Sequence, residues 1–189
     1  MGSNEPCNHQ RTLTKNLVLS KELLKNWQQR IHKHQSTLFQ GIPNSHIQGS
    51  LFTKVEKSST DEFEPLKLTP LPLSFWRWPE APHYGPAIYL VIDRIEHCNS
   101  PILLYVGETM SADQRWKGEH DCKSYLAAYS EALANVGIKS QLSIRFWSDV
   151  PRNSKSRRKV EQELIQSWLP PFNKETRGHW NTPFTAQPK

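Results

Sequence analysis

Apolar positions recur with two different periods along this chain. Val160, Leu164, Ile165 and Trp168 fall within one stripe of about 140° when residues are spaced at roughly 100°, which predicts an amphipathic helix. Pro170-Pro171-Phe172-Asn173 stops that helix in a turn, and Ser154 or Ser156 is its expected cap. Upstream, Ala87 to Ile92 and Ile102 to Val106 are strand-length runs rich in β-branched and aromatic residues. The polar stretch Asp93 to Pro101 between them is long enough for a hairpin loop. Gln141 to Trp147 alternates polar and apolar residues, which predicts a half-buried third strand. A short helix is expected near Ser111 to Lys117. A longer one follows over about Lys123 to Val136, where Leu126, Tyr129, Leu133 and Val136 recur at helical spacing and Gly137 provides a stop. In the N-terminal part, Ser20 to about Gln35 reads as a helix with Ser20 as cap, Glu22 in the first turn, and Leu23, Leu24, Trp27 and Ile31 as its stripe. From Gly41 to Pro82 periodicity disappears and prolines accumulate, which predicts an extended arm. Within it, Trp76 and Trp78 would share one face of an extended chain and pack on the core. The expected fold is α+β: a small antiparallel sheet of about three strands flanked by helices. The expected organisation is an N-terminal extension over 1–82, a core domain over 83–177 and a tail over 178–189.

One residue in the pattern is out of place. Glu161 lies inside the apolar stripe of the last helix, whereas Glu163 points away from it. A carboxylate on a core-facing stripe is costly to bury unless it is paired or bound to a metal. A second oddity adjoins it. Lys155, Arg157, Arg158 and Lys159 crowd the start of the same helix, where cations oppose the helix dipole.

Composition narrows the partners. The net charge of the 189 residues is +6, which suits an anionic partner such as nucleic acid. No apolar run is long enough to span a membrane, and no leader-like segment opens the chain, so a soluble, cytoplasmic protein is expected. Cys7, Cys98 and Cys122 are too few and too irregular for a disulfide framework, which points to a reducing compartment. His97, Cys98, His120 and Cys122 do not have the spacing of a usual zinc site.

Taken in order, Ala87-Ile88-Tyr89, Tyr105-Val106-Gly107, Arg115 ten residues after Tyr105, Glu161, and Asn173 twelve residues after that Glu make a constellation. It resembles the GIY-YIG nucleases over about residues 85 to 175. There are three departures. Ala87 stands where the family usually has Gly, and Glu108 stands where several relatives have Lys. His120 comes one position later than a His found in some branches, with Glu119 at the strict position.

The resemblance implies a metal-dependent endonuclease acting on duplex or branched DNA, and it implies a role for each of these residues. Glu161 would hold one Mg²⁺ (or Mn²⁺), the remaining ligands being largely water. Arg115 would bind the scissile phosphate. Tyr89 and Tyr105 would converge on it from adjacent strands, with Tyr89 the preferred base and Tyr105 an orienter. Gly107 would let the chain approach substrate closely, and Asn173 would fix the turn after the helix. His120 would join the site if a one-residue bulge restores it, and is otherwise simply exposed. Arg157, Arg158, Lys159 and Lys117 would grip phosphates. The plain alternatives are a Glu161 paired with a nearby Arg, a surface Arg115 and two core tyrosines. Two other functions are open: a catalytically silent nucleic-acid-binding module, and a subunit that docks a protein partner or a second copy through the arm.

Overall fold

The computed structural model describes residues 19–41, 63–118 and 121–184. Helix α1 (Lys21–Phe39) is followed by strands β1 (Ala87–Ile95) and β2 (Ile102–Thr109), the short helix α2 (Ala112–Arg115), helix α3 (Asp121–Asn135), strand β3 (Ser140–Trp147) and helix α4 (Ser154–Trp168). The three strands form one open antiparallel sheet in the order β2-β1-β3. The fold is α+β, and no helix among the described residues is long and apolar enough to cross a membrane.

Side chains on a strand alternate between faces, and here both faces are covered. Ala87, Tyr89 and Val91 of β1 join a core with Leu24, Trp27 and Ile31 of α1 and with Tyr125, Leu126, Tyr129 and Leu133 of α3. Ile88, Leu90 and Ile92 face the other way, against Val160, Leu164, Ile165 and Trp168 of α4. A strand buried on both sides has no polar face, which is why β1 reads as a continuous apolar run.

Several boundaries differ from expectation. β1 does not end at Ile92 but runs through Asp93 to Ile95, because Asp93 is buried with partners: the Tyr129 hydroxyl donates to its Oδ2 at 2.6 Å and the Gln141 amide to its Oδ1 at 2.8 Å. α1 extends to Phe39, four residues past Gln35, and Ser20 caps it by accepting from the Leu23 amide. Asn153, not Ser154 or Ser156, caps α4, accepting from the amides of Lys155 and Ser156.

The arm also differs. Its residues 42–62 lie outside the described residues, but from Phe63 onward it follows the sheet. Leu71 forms an antiparallel bridge with Ile144 on the outer side of β3. Phe75–Arg77 is a 3₁₀ turn rather than extended chain, so Trp76 and Trp78 do not share a core-facing side. Phe75 enters the core instead, and Trp78 is 45 % exposed.

Residues on either side of the expected limits at 82 and 177 share one core. Trp27 of α1 packs on Tyr129, Phe172 and Phe184, and both Trp180 and Phe184 are buried.

Candidate active site

The outer edge of β2 would expose unpaired backbone groups if nothing covered it. Side chains cover it. The Gln35 amide bonds both the N–H and the C=O of Leu103, and the Asn173 amide does the same at Val106. The Phe172 amide donates to Leu104, and the Glu161 carboxylate accepts the Glu108 N–H at 3.0 Å. Two of the residues carrying the resemblance, Asn173 and Glu161, are therefore anchored two residues apart on the same strand. Asn173 does more than the turn-fixing expected of it. While its side chain holds β2, its carbonyl accepts from the amides of Thr176 and Arg177, so it ties the turn to the sheet.

Tyr105 lies on this same stretch of β2, and Tyr89 is paired with Gly107 across the β1–β2 ladder. The Tyr89 ring passes directly over Gly107. A Cβ at that position would stand 2.4 Å from Tyr89 Cζ and 2.8 Å from Tyr105 Cε1. At Gly107 the missing side chain lets the backbone approach Tyr89 closely. The two tyrosine rings lie 5.8 Å apart, and Trp116 packs edge-on to Tyr89 at 5.7 Å. Because Tyr89 is fully buried among these rings, it has nowhere to swing. Gly107→Ala is expected to destabilise the protein by about 1–3 kcal/mol through overpacking and to displace the Tyr89 hydroxyl. Chemical denaturation would check this, and wild-type stability in the variant would contradict it.

Arg115 completes the cluster. Its Nε donates to the Tyr89 hydroxyl at 3.0 Å, and its guanidinium carbon lies 5.6 Å from the Tyr89 ring centre. Burial works against its charge, yet the two tyrosines beside it hold its pKa above the ordinary value, so it is a fixed cation. Burial pushes both phenols up, Tyr89 well above its usual value, with Arg115 pulling each back. Tyr89 has no exposed surface and Tyr105 is half-buried. For Glu161, burial raises the pKa to about 7; the Glu108 N–H opposes the rise, and the charges of Glu108 and Glu175 add to it. Its Oε2 has no partner among the described residues.

The basic segment divides. Arg157 does not face solvent as expected of a phosphate grip: its side chain is fully buried. Its Nε and Nη2 bond Glu108 at 2.9 and 2.8 Å, and its Nη1 bonds the carbonyls of Pro151 and Arg152. Arg158, with a side chain 69 % exposed, reaches the other Glu108 oxygen at 3.2 Å. Lys159 and Lys117 are exposed. Lys123 donates to the carbonyls of Trp116 and Gly118. Glu108, a departure from the resemblance in the sequence, is thus the counter-ion of Arg157. His120 and Glu119 lie outside the described residues.

No family model, curated protein or solved structure matches the chain. The site is therefore read from its own residues. No group of three or more His, Cys, Asp or Glu side chains that could hold a metal gathers among the described residues, and Cys122 is a buried thiol with its pKa pushed up by burial. A cation here would have Glu161 as its protein ligand. One oxygen tied to a backbone N–H and one without a partner among the described residues make a donor set that fits Mg²⁺, which takes one or two carboxylates and completes its shell with water and substrate oxygens.

Sequence reasoning missed three contributors. Glu108 was seen only as a misplaced acid. Trp116 walls Tyr89 and donates to the Leu73 carbonyl, and no local signal in the sequence sets it apart. Gln35 looked like the polar end of a helix, and its one signal is a position four residues after Ile31, in line with the apolar stripe.

Proposed function

We propose that this chain is a metal-dependent endonuclease that hydrolyses DNA phosphodiester bonds at a site of GIY-YIG type. One observation carries the reading: Tyr89, Tyr105 and Arg115 converge over Gly107, while Glu161 is held on the next residue of the same strand. Structural packing alone does not call for a cation, two phenols and a carboxylate of raised pKa around one glycine. Perturbed titratable groups gathered in this way are the usual mark of a reactive site.

Each residue has a chemical part. Arg115, fixed by Tyr89, would bind a non-bridging oxygen of the scissile phosphate and offset charge in the transition state. Glu161 would hold the divalent cation, which when bound neutralises phosphate charge and acidifies water. Tyr105 would be better placed than Tyr89 to take the proton of the attacking water, once its own hydroxyl proton has passed to solvent under the pull of Arg115 and of the bound cation, because it is half-buried while Tyr89 has no exposed surface. This reverses the assignment preferred from the sequence. The water oxygen would bond to phosphorus as the bond to the leaving oxygen breaks, and the departing alkoxide would be protonated from solvent. Asn173 and Gly107 act through others: one aligns β2, the other makes room for Tyr89.

Comparing duplex, nicked, flapped and branched DNA with Mg²⁺ or Mn²⁺ tests the reading. Cleavage of at least one of them, lost in chelator, is expected; no cleavage of any would sink it. A second reading rests on the Glu161–Glu108 bond, which gives the carboxylate a purely structural use. A silent DNA-binding module would keep that bond, bind the same panel and cleave none of it.

Phosphate contacts outside the cluster fall to Arg158 and Lys159. Replacing both with Gln is expected to lower the slope of log affinity against log salt by about one to two, since each phosphate contact contributes close to one. An unchanged slope would place the gripping surface elsewhere.

A further inference from the structure

The aromatic residues left outside the core mark a second site. Trp78 is 45 % exposed and Tyr84 is 68 % exposed, and neither ring packs against another among the described residues. Between them lies a cavity of about 180 Å³, whose lining includes Trp76, Trp78, Tyr84, Asp113, Gln114 and Lys117. Trp76 is a fixed wall, with the Arg77 guanidinium 5.0 Å and the Lys123 ammonium 5.5 Å from its ring centre. Trp78 and Tyr84 offer faces on which a flat ring can stack. Gln114 and Asp113, bonded to each other at 2.6 Å, bring amide and carboxylate groups to the same cavity. Arg115, whose guanidinium is assigned to the phosphate, is the next residue of that short helix after Asp113 and Gln114. The exposed cations Arg77 and Lys117 stand at or beside the rim.

We propose that this cavity receives an unpaired nucleobase of the DNA strand held at Arg115, so that the protein selects flapped or branched DNA over continuous duplex. The proposal rests on the nuclease reading and supplies its substrate class. Every base has a face that stacks on an aromatic ring, and a base already unpaired does not have to be drawn out of a helix first. A paired base keeps its faces inside the duplex and cannot enter. An aromatic cleft could also take a proline-rich peptide, but the cations Lys117 and Arg77 favour a polyanion.

The test uses the full chain in chelator, so that binding is read without cleavage. The probe is a flapped duplex with 2-aminopurine at the unpaired position beside the junction, compared with a nicked duplex carrying the same base paired. The wild type should quench the flap probe and leave the paired probe unchanged. Trp78→Ala combined with Tyr84→Ala should lose the quenching and weaken flap binding about ten-fold or more, while duplex binding stays within about two-fold. Both side chains are exposed, and Trp78→Phe, which keeps a stacking face, should restore part of the affinity. Equal weakening on both probes, unchanged flap affinity, or failure of the wild type to bind or quench the flap probe would each overturn the proposal. Flap binding that depends on Trp78 in a chain that cleaves nothing would remove the nuclease reading and leave the cavity standing. Flap cleavage that Trp78→Ala does not change would do the reverse.

Discussion

Glu161→Gln is expected to reduce divalent-cation-dependent cleavage by about three orders of magnitude or more while leaving the fold intact. The fold survives because the amide oxygen of Gln can still accept the Glu108 N–H that Glu161 accepts at 3.0 Å. Activity does not survive, because an amide is a poor Mg²⁺ ligand, and a catalytic cation is worth several kcal/mol of transition-state stabilisation. Glu163→Gln is the control. Its carboxylate lies 3.9 Å from Lys159 on the outer side of α4 and should matter little.

The pH dependence follows from the same residue. Its folded pKa is about 7 against an ordinary 4.5, so the folded protein without metal holds a proton that the unfolded chain has released. In chelator, the wild type should therefore lose stability relative to Glu161→Gln as pH rises from about 5 to about 8. Added Mn²⁺ should raise the melting temperature of the wild type only once the carboxylate ionises, at and above about pH 7, and that of Glu161→Gln at no pH. Full activity in Glu161→Gln, or equal loss in both variants, would show that Glu161 is a structural acid.

The second large effect is on stability. Arg157→Gln should cost about 3–5 kcal/mol, because it removes one partner of a buried pair and leaves Glu108 poorly compensated. For a chain of this size that is a fall in melting temperature of roughly 6 to 20 °C. Arg158→Gln removes a contact to the same carboxylate, but its guanidinium is mostly in water, so the expected cost is within about 1 kcal/mol. Thermal melts of the two variants side by side would decide the matter. Equal, small losses would contradict a buried role for Arg157 and return it to the phosphate-gripping surface.

These two arginines show where the sequence stops being legible. Arg157 and Arg158 are neighbours of the same type, and no local pattern tells them apart. The difference is tertiary, set by the place where Glu108 meets α4 and by the carbonyls of Pro151 and Arg152 that take up the remaining donors. The strands were readable because β1 and β2 are β-branched and apolar. Asp93 was not readable as strand, since an aspartate ordinarily ends one, and its burial is made tolerable by long-range partners, among them Tyr129 and Gln141. The Glu161 stripe was readable from period alone, but not the backbone N–H that meets it 53 positions away in the chain. The Phe75–Arg77 turn was misread as extended chain for a comparable reason: the bridge from Leu71 to Ile144 that precedes it is a long-range contact with no local signature.

The central claim is tested most directly by starting the reaction with metal. The wild-type chain is bound in turn to the duplex, nicked, flapped and branched DNAs in chelator, with protein in excess, and Mg²⁺ is then added beyond the chelator's capacity; at least one of the four is expected to be cut. The account predicts no product before the addition and a single-turnover burst of cut strand after it. Product formed in chelator, or bound DNAs that all stay intact with Mg²⁺ and with Mn²⁺, would contradict it.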